Sequence, residues 1–190
     1  MQRAVFPFFQ GTPSLNAIAA KARALARVTA PEFKTLARRI VTNARFLAAS
    51  LTAKGYTVLT GGSDNHLLLI DVLASGLTGV VAERALEECN IIVNKNKIPG
   101  ESKSALVTSG LRLGTNSLAL RGMESDEMAQ CADLIYAVLS GVKVTGDTSY
   151  ILAGEVKEAV QAKVRVLCRR FPIPFYPVIR ALDQEGTDDE

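Results

Sequence analysis

Arg112 is the only charged residue between Ser104 and Thr115. Leu111 and Leu113 flank it, and this alternation predicts a short strand that buries both leucines on one face and sends the arginine to the other. A guanidinium held on a rigid strand can form a bidentate pair with a small carboxylate. The same spacing also fits an ordinary edge-strand arginine paired with a nearby acid, and spacing alone favours that second interpretation.

The polar residues 94–103 precede this segment, and with them the carboxylate-binding interpretation becomes the favoured one. Together the two stretches read V-N-K-N-x-x-P-x-x-x-K-S-x-x-x-T-S-G-L-R-L-G-T. This pattern resembles serine hydroxymethyltransferase, the pyridoxal-phosphate enzyme that moves a one-carbon unit between serine and tetrahydrofolate. Further matching blocks, at spacings without large gaps, are A-V-F-P and Q-G near the start, P-E-F-K, G-Y, G-G-S-D-N-H-L, L-T-G and R-G. The resemblance runs from about residue 4 to residue 172 and covers only the C-terminal part of that enzyme.

The resemblance implies an α/β fold of the α+β type, that of the C-terminal small domain of a fold-type I pyridoxal-phosphate transferase. We expect a small sheet with helices on one face, preceded by an extended arm and an interdomain helix. The expected parts are residues 1–28 (arm and linking helix), 29–175 (the domain) and 176–190 (a tail). The tail ends in acidic and polar residues and is expected to be disordered there.

Hydrophobic periodicity and helix-end signals predict the elements from the residues themselves. Pro7 and Pro13 favour an extended arm. Gly55 is expected to end the second helix, and Ser125 to cap a later one. The predicted helices cover about 14–28, 29–54, 78–88, 126–139 and 152–170, and the predicted strands cover 56–60, 66–72, 91–93 and 111–113. This order is typical of a small sheet with helices laid on one face.

The resemblance assigns binding roles to two residues of the long motif. In the family, the arginine of T-S-G-[LI]-R-x-G clamps the carboxylate of the amino-acid substrate, and Arg112 matches it. The second asparagine of V-N-K-N contacts the pterin of the folate in the family, and Asn96 matches that position. An amide offers both a donor and an acceptor to a pterin edge. A loop asparagine that caps local backbone is an equally good interpretation of Asn96.

The segment 10–13 matches the Q-G-G-P of the family, whose glycines present backbone N–H groups to the cofactor phosphate of the neighbouring subunit. A glycine-rich turn that leads into a helix is a natural anion site. Gly11 is retained, but Thr12 replaces the second glycine, and its Cβ restricts positive φ and close backbone approach. Gly11 and Thr12 are therefore candidate cofactor-binding residues, with a simple turn before a helix as the competing interpretation.

The single histidine, His66, is a candidate general base because its ordinary pKa lies near neutrality. The resemblance instead places it in a structural segment away from the cofactor. Catalysis in the family depends on a lysine in a T-T-x-H-K segment upstream of A-V-F-P, and none of the nine lysines of this chain follows Thr-Thr-x-His. The ring-stacking histidine and the ring-protonating aspartate would also lie upstream. We therefore assign no catalytic residue and expect the chain alone to be inactive.

Three hypotheses remain. In the first, a partner chain carries the lysine domain, and this chain completes the amino-acid site of a hetero-oligomer that uses pyridoxal phosphate and, where the pterin site is intact, tetrahydrofolate. The intact motifs and the apolar arm, with Val5, Phe6, Phe8 and Phe9, favour it. In the second, the chain docks onto a full-length serine hydroxymethyltransferase and modulates it. Thr12, the acidic tail and Ser14, which stands where the family often has His or Leu, favour this hypothesis. The third, a degenerate fragment without function, conflicts with the smooth family pattern.

Composition excludes several other classes. The net charge of +3 is too small to indicate nucleic-acid binding, and no Lys/Arg run is interleaved with aromatic residues. The three cysteines form no C-x-x-C, which together with a single histidine argues against a metal site and favours a reducing, cytoplasmic compartment. The apolar N-terminal stretch is too short for a signal sequence, and no apolar run is long enough to span a membrane.

Overall fold

The computed structural model describes residues 2–174, and the chain divides into two compact units, Met1–Arg39 and Ile40–Glu190. The predicted tail at 176–190 lies outside the described residues. The predicted boundaries of arm, domain and tail stay predictions. Within the described residues, no helix is both long enough and apolar enough to cross a membrane.

The N-terminal arm is not extended as predicted but forms helical turns over Ala4–Phe9. The prolines explain why an extended arm was predicted and also why the arm instead has helical turns with a kink. Phe6 precedes Pro7 and is the one residue there with extended backbone angles, φ −128° and ψ 129°, because proline disfavours helical angles in the residue before it. The chain resumes helical turns after this kink, since a proline near a helix start loses no hydrogen bond.

Two helices follow in chain order. Helix α1 spans Leu15–Val28, and none of its residues is buried. Helix α2 spans Pro31–Ala53 and contains the boundary between the two units; its proline occupies the first position, where it is best tolerated. Gly55, at φ +90°, follows the end of α2 and lets the N–H of Tyr56 reach the carbonyl of Leu51 at 3.1 Å. The predicted role of Gly55 is confirmed.

The C-terminal unit contains a four-stranded antiparallel sheet with the strand order β1-β2-β4-β3. The strands are β1 (Thr57–Val58), β2 (Leu67–Asp71), β3 (Asn94–Asn96) and β4 (Gly110–Gly114). The strand predicted at residues 91–93 is wrong. The N–H of Ile91 bonds the carbonyl of Leu86 at the end of a helix, and pairing with β4 begins only at Asn94.

One face of this sheet carries the core. Leu68 pairs with Leu113 and Ile70 pairs with Leu111, so the four side chains share a face, and all four are buried. Helix α3, Gly79–Glu88, contacts β3 and β4, and its apolar side belongs to the same core cluster. Helix α5, Ser125–Gly141, packs against α3 and against α6, Gly154–Arg170. The predicted α/β fold, a small sheet covered by helices, is confirmed.

Three details differ from the sequence prediction. A short helix α4, Asn116–Leu120, follows β4 directly. Glu124, not Ser125, caps α5, in a capping box in which the N–H of Glu124 donates to the carboxylate of Glu127 at 2.9 Å. A hairpin of β5 (Val142–Gly146) and β6 (Ser149–Leu152), for which the sequence analysis predicted no strand, precedes the last helix. Its alternating pattern around Gly-Asp-Thr is a strand signal.

Candidate functional site

Arg112 lies on the outer face of its strand, as its alternation with Leu111 and Leu113 predicted. Leu111 and Leu113 are buried, with 0% and 4% of their surface exposed, while the side chain of Arg112 is exposed on the opposite face of β4. The antiparallel register places Arg112 between Leu69 of β2 and Asn94 of β3. The strand thus buries its leucines and presents the guanidinium on the face away from the core.

The guanidinium is oriented by an amide and not by an acid. Arg112 Nε donates a hydrogen bond to Asn94 Oδ1 at 3.0 Å. Among residues 2–174, no carboxylate forms an ion pair with Arg112. A neutral acceptor fixes the plane of the guanidinium and leaves its charge uncompensated, so the two terminal nitrogens stay available for a bidentate partner. This arrangement favours the carboxylate-receptor interpretation over the paired edge arginine.

A pocket of about 410 Å³ opens beside the arginine. Polar and apolar residues both line it, namely His66, Leu67, Ile92, Val93, Asn94, Arg112 and Gly114. The volume suits a small ligand, and Arg112 is its one permanently charged lining residue. The structure therefore supplies a cationic cleft of the size that an amino acid needs.

His66 shares the pocket with Arg112 but serves the fold through its backbone. Its carbonyl accepts a hydrogen bond from the N–H of Thr115 at 2.9 Å. The hydroxyl of Thr115, which is fully buried, donates to the carbonyl of Ile40 at 2.8 Å. The last residue of the long motif therefore ties the end of β4 to α2 and to the start of β2, in keeping with the structural role expected of the histidine segment.

The two asparagines of V-N-K-N have different contacts. Period-two alternation along β3 places both on the face that carries Arg112, but only Asn94 contacts the guanidinium. Asn96 pairs through its backbone with Gly110, and its Nδ2 donates to the carbonyl of Lys97 at 2.6 Å. Sequence reasoning missed the orienting contact of Asn94, although the two-residue spacing of the asparagines indicated a shared face.

Close packing explains two glycines of the motifs. A Cβ on Gly110 would meet Ile98 Cγ2 and would lie 3.0 Å from the carbonyl oxygen of Asn96. A Cβ on Gly79, the first residue of α3, would meet Thr108 Oγ1 and would lie 2.8 Å from the carbonyl oxygen of Gly110. Only glycine permits this approach of α3, β3 and the start of β4. The position of β4, and hence of Arg112, depends on both.

A carboxylate that sequence reasoning overlooked holds the turn before β4. Glu101 accepts hydrogen bonds from the Ser109 hydroxyl at 2.6 Å, from the Ser109 N–H at 2.8 Å and from the Lys103 N–H at 2.8 Å. These donors, the Ser109 hydroxyl foremost, hold the pKa of Glu101 below its usual value. Lys103 Nζ in turn pairs with Asp147 at 3.1 Å, so the hairpin tip is tied to the same turn.

A family model described as serine hydroxymethyltransferase matches residues 1–135. The chain belongs to the serine hydroxymethyltransferase family. It is 45% identical over 172 residues to serine hydroxymethyltransferase 1 of Bordetella parapertussis, an alignment that covers 90% of this chain and 39% of that protein. The family and the fold inferred from the sequence are confirmed, and the chain spans well under half the length of this relative.

Gly11 and Thr12, the candidate phosphate ligands of this family member, lie in the N-terminal unit and are exposed. Neither has a positive φ, and a Cβ on Gly11 would meet nothing within 4 Å. Thr12 therefore introduces no backbone strain where the family has a second glycine. Their contact with a phosphate stays a prediction.

The described residues fit part of the pyridoxal-phosphate chemistry of the serine hydroxymethyltransferase family. The Arg112 pocket can take the carboxylate of an amino acid, but its lining contains no lysine for covalent attachment of the cofactor. Four lysines elsewhere are held in ion pairs with Asp133, Glu83, Asp147 and Glu88, namely Lys54, Lys95, Lys103 and Lys157. The residues of this pocket could therefore hold the carboxylate of an amino-acid substrate, but they do not include a lysine that could bind the cofactor covalently.

Proposed function

We propose that this chain supplies the substrate-carboxylate arginine and part of the folate site to a serine hydroxymethyltransferase-type enzyme whose lysine-bearing domain is carried by a partner chain. The observation that supports this most directly is the exposed guanidinium of Arg112, oriented by Asn94 at 3.0 Å without an acidic partner among residues 2–174. A guanidinium that is oriented but not paired with an acid can bind an anionic ligand. The family membership makes serine and glycine the expected ligands.

Within the completed site, Arg112 binds and orients the amino acid. Its two terminal nitrogens take the carboxylate, and the rigid strand fixes the direction in which the α-carbon points. Bound pyridoxal phosphate would supply the electron sink for chemistry at that carbon. The contribution of this chain is therefore the binding and orientation of the amino acid.

Asn96 is proposed to contact the pterin of tetrahydrofolate. One N–H of its amide is already donated to the carbonyl of Lys97, which leaves the second N–H and the carbonyl oxygen. A donor and an acceptor side by side match the edge of a pterin ring. Gly11 and Thr12 are proposed to approach the cofactor phosphate through backbone N–H groups and the threonine hydroxyl. A reducing, cytoplasmic setting is part of the same proposal.

The decisive experiment is reconstitution. The region of the Bordetella relative that this chain does not cover, produced as a separate polypeptide with its lysine, is mixed with the chain and pyridoxal phosphate. We expect a stable complex with cofactor absorbance that changes on addition of glycine. After borohydride reduction, the pyridoxyl group should sit on the partner's lysine, and the chain alone should carry no stoichiometric adduct. An adduct on one lysine of this chain would contradict the proposal.

The alternative function, modulation of a complete serine hydroxymethyltransferase, rests on the departures at Thr12 and Ser14. The test is to add the chain to the full-length relative and to measure binding and activity. A modulator would change the activity of an enzyme that already contains its own arginine, and Arg112→Ala would leave this effect intact. The proposed role instead requires Arg112 itself.

A further inference from the structure

Cys131 of α5 and Cys168 of α6 line the same cavity. This cavity has a volume of about 410 Å³ and is walled mainly by apolar side chains of α4, α5, α6 and the segment before β3. Leu134 and Leu167 separate it from the outer groove between α5 and α6. The two cysteines therefore border a common space.

The two cysteines also lie at the same level of the helix pair. Glu127 in the first turn of α5 pairs with Arg170 at the end of α6 at 3.4 Å, so the two helices run antiparallel. Cys131 comes four residues after Glu127, and Cys168 comes two residues before Arg170. At about 1.5 Å rise per residue, the cysteines differ in level by only about 3 Å. Where two helices pack with their axes about 8–10 Å apart, residues that face each other at the same level can have Cα atoms within about 7 Å, the reach of a disulfide.

Accessibility differs between the two thiols. Cys168 is exposed, Cys131 is partly buried, and both are free. Burial, with smaller contributions from Cys168 and Glu127, raises the pKa of Cys131 to about 11, while Arg121 opposes this rise. Arg121 also donates to the carbonyl of Cys168 at 3.1 Å, which fixes the last turn of α6. An exposed thiol beside a partly buried one suits an attacking and a resolving cysteine.

We propose that Cys131 and Cys168 form an intramolecular disulfide when the chain meets a small-molecule disulfide such as oxidised glutathione. The Cys168 thiolate attacks the glutathione disulfide, forming a mixed disulfide and releasing one glutathione thiolate. The Cys131 thiol then loses its proton to solvent and attacks the Cys168 sulfur, releasing the second glutathione. Two cysteine thiols are oxidised and one glutathione disulfide is reduced to two thiols. The resulting bond joins α5 to α6.

The test follows the native chain with oxidised glutathione, quenched with acid and analysed by mass spectrometry. We expect a product two hydrogens lighter, a linked Cys131–Cys168 peptide, and a rise of several degrees in the unfolding midpoint. Cys89 is fully buried and should stay unmodified, so it reports that the fold is intact. Because Cys131 attacks as its thiolate, the second step should accelerate steadily as the pH rises toward 11.

Three variants separate the steps. Cys131→Ser should stop at a stable glutathione adduct on Cys168, because the resolving thiol is gone. Cys168→Ser should react far more slowly, since only the partly buried thiol remains. Cys89→Ser, the matched control, should form the bond as the unchanged chain does. A lasting glutathione adduct on Cys168 in the unchanged chain, a link that includes Cys89, or no reaction would each overturn the proposal.

Discussion

Arg112 and Asn94 face each other across two neighbouring strands, and the hydrogen bond from Arg112 Nε to Asn94 Oδ1 measures 3.0 Å. The pairing of β3 with β4 brings them together, and both side chains leave the sheet on the face away from the core. An amide partner orients the guanidinium without neutralising it. A guanidinium with an amide partner keeps its charge for a ligand, whereas one in a structural ion pair does not, so this relationship favours the carboxylate-receptor interpretation.

Removal of the guanidinium should weaken substrate binding and spare the fold. A charge-assisted bidentate pair contributes about 1.5–3 kcal/mol, and 1.4 kcal/mol is about a factor of ten in affinity. Arg112→Ala in the reconstituted complex should therefore bind glycine at least about tenfold more weakly by spectroscopic titration. Arg112→Lys should recover little, because an ammonium cannot form the fork. Unchanged affinity in a competent complex would remove Arg112 from the site.

Loss of the orienting amide should have a smaller effect on the same titration. Asn94→Ala leaves the charge in place but frees its orientation, at a cost of about 0.5–1.5 kcal/mol for one hydrogen bond, which is roughly a two- to tenfold loss of affinity. Asn96→Ala is the matched control, because Asn96 lies on the same face without contacting Arg112. It should leave glycine affinity unchanged and weaken folate binding. Equal effects of both changes on glycine would contradict the assigned contacts.

Glu101 should make the turn before β4 sensitive to acid. Its pKa is lowered in the folded state, chiefly by the Ser109 hydroxyl, so the ionised carboxylate stabilises the fold at pH values above the ordinary, unfolded pKa of the group. This stabilisation is lost as the pH falls through the lower, folded pKa. Glu101→Gln should therefore lower the free energy of unfolding at neutral pH, and the difference from the unchanged chain should shrink in strong acid. Urea titrations across this range measure it.

The control for this comparison is Glu87→Gln, an exposed acid of α3 with no side-chain hydrogen bond in the described structure. It should unfold like the unchanged chain at neutral pH, where Glu101→Gln should not. If Glu87→Gln and Glu101→Gln gave the same pH profile, the hydrogen bonds of Glu101 would not be the cause.

Gly79 should tolerate no side chain. A Cβ there would meet Thr108 Oγ1 and the backbone oxygen of Gly110, and a backbone atom cannot move without shifting β4. Gly79→Ala should cost about 1–3 kcal/mol of unfolding free energy, the range for overpacking a well-packed site. Gly154→Ala, in the first turn of α6 with nothing within 4 Å of its Cβ, is the control and should be neutral or slightly stabilising. Equal stability of the two variants would refute the packing argument.

The sequence predicted Arg112 well because one strong signal determines its placement. Two leucines at period two can be buried together only if the residue between them points outward, and the structure agrees. Ile91 and Val93 show the limit of that reasoning. Their apolar run resembles a strand, yet both pack against the core and pairing starts only at Asn94, because the N–H of Ile91 still bonds the carbonyl of Leu86 in the last turn of α3.

Contacts between residues far apart in the chain were the least predictable part of the site. Glu101 reaches Ser109 only because the intervening turn folds back, and Gly79 meets Gly110 only because α3 lies on the sheet. The hydrophobic periodicity of a single sequence does not reveal which of its distant residues lie close together in the fold. The motif that resembles the family does include residues that these contacts require, namely its glycines and its serine.

The N-terminal arm should be a contact surface for a partner. Phe8 and Phe9 each expose 84% of their surface, and Val5 and Phe6 expose more than half. Exposed aromatic clusters of this kind mark interaction sites, because their burial contributes about 25 cal/mol per Å². The double change Phe8→Ser and Phe9→Ser should weaken the reconstituted complex by at least about tenfold in sedimentation or calorimetric titrations. Ile151→Ser, which alters an exposed apolar residue of β6, is the control and should bind normally. A complex that forms equally well without the two phenylalanines, and in which proteases still cleave the arm, would show that the arm is not the contact.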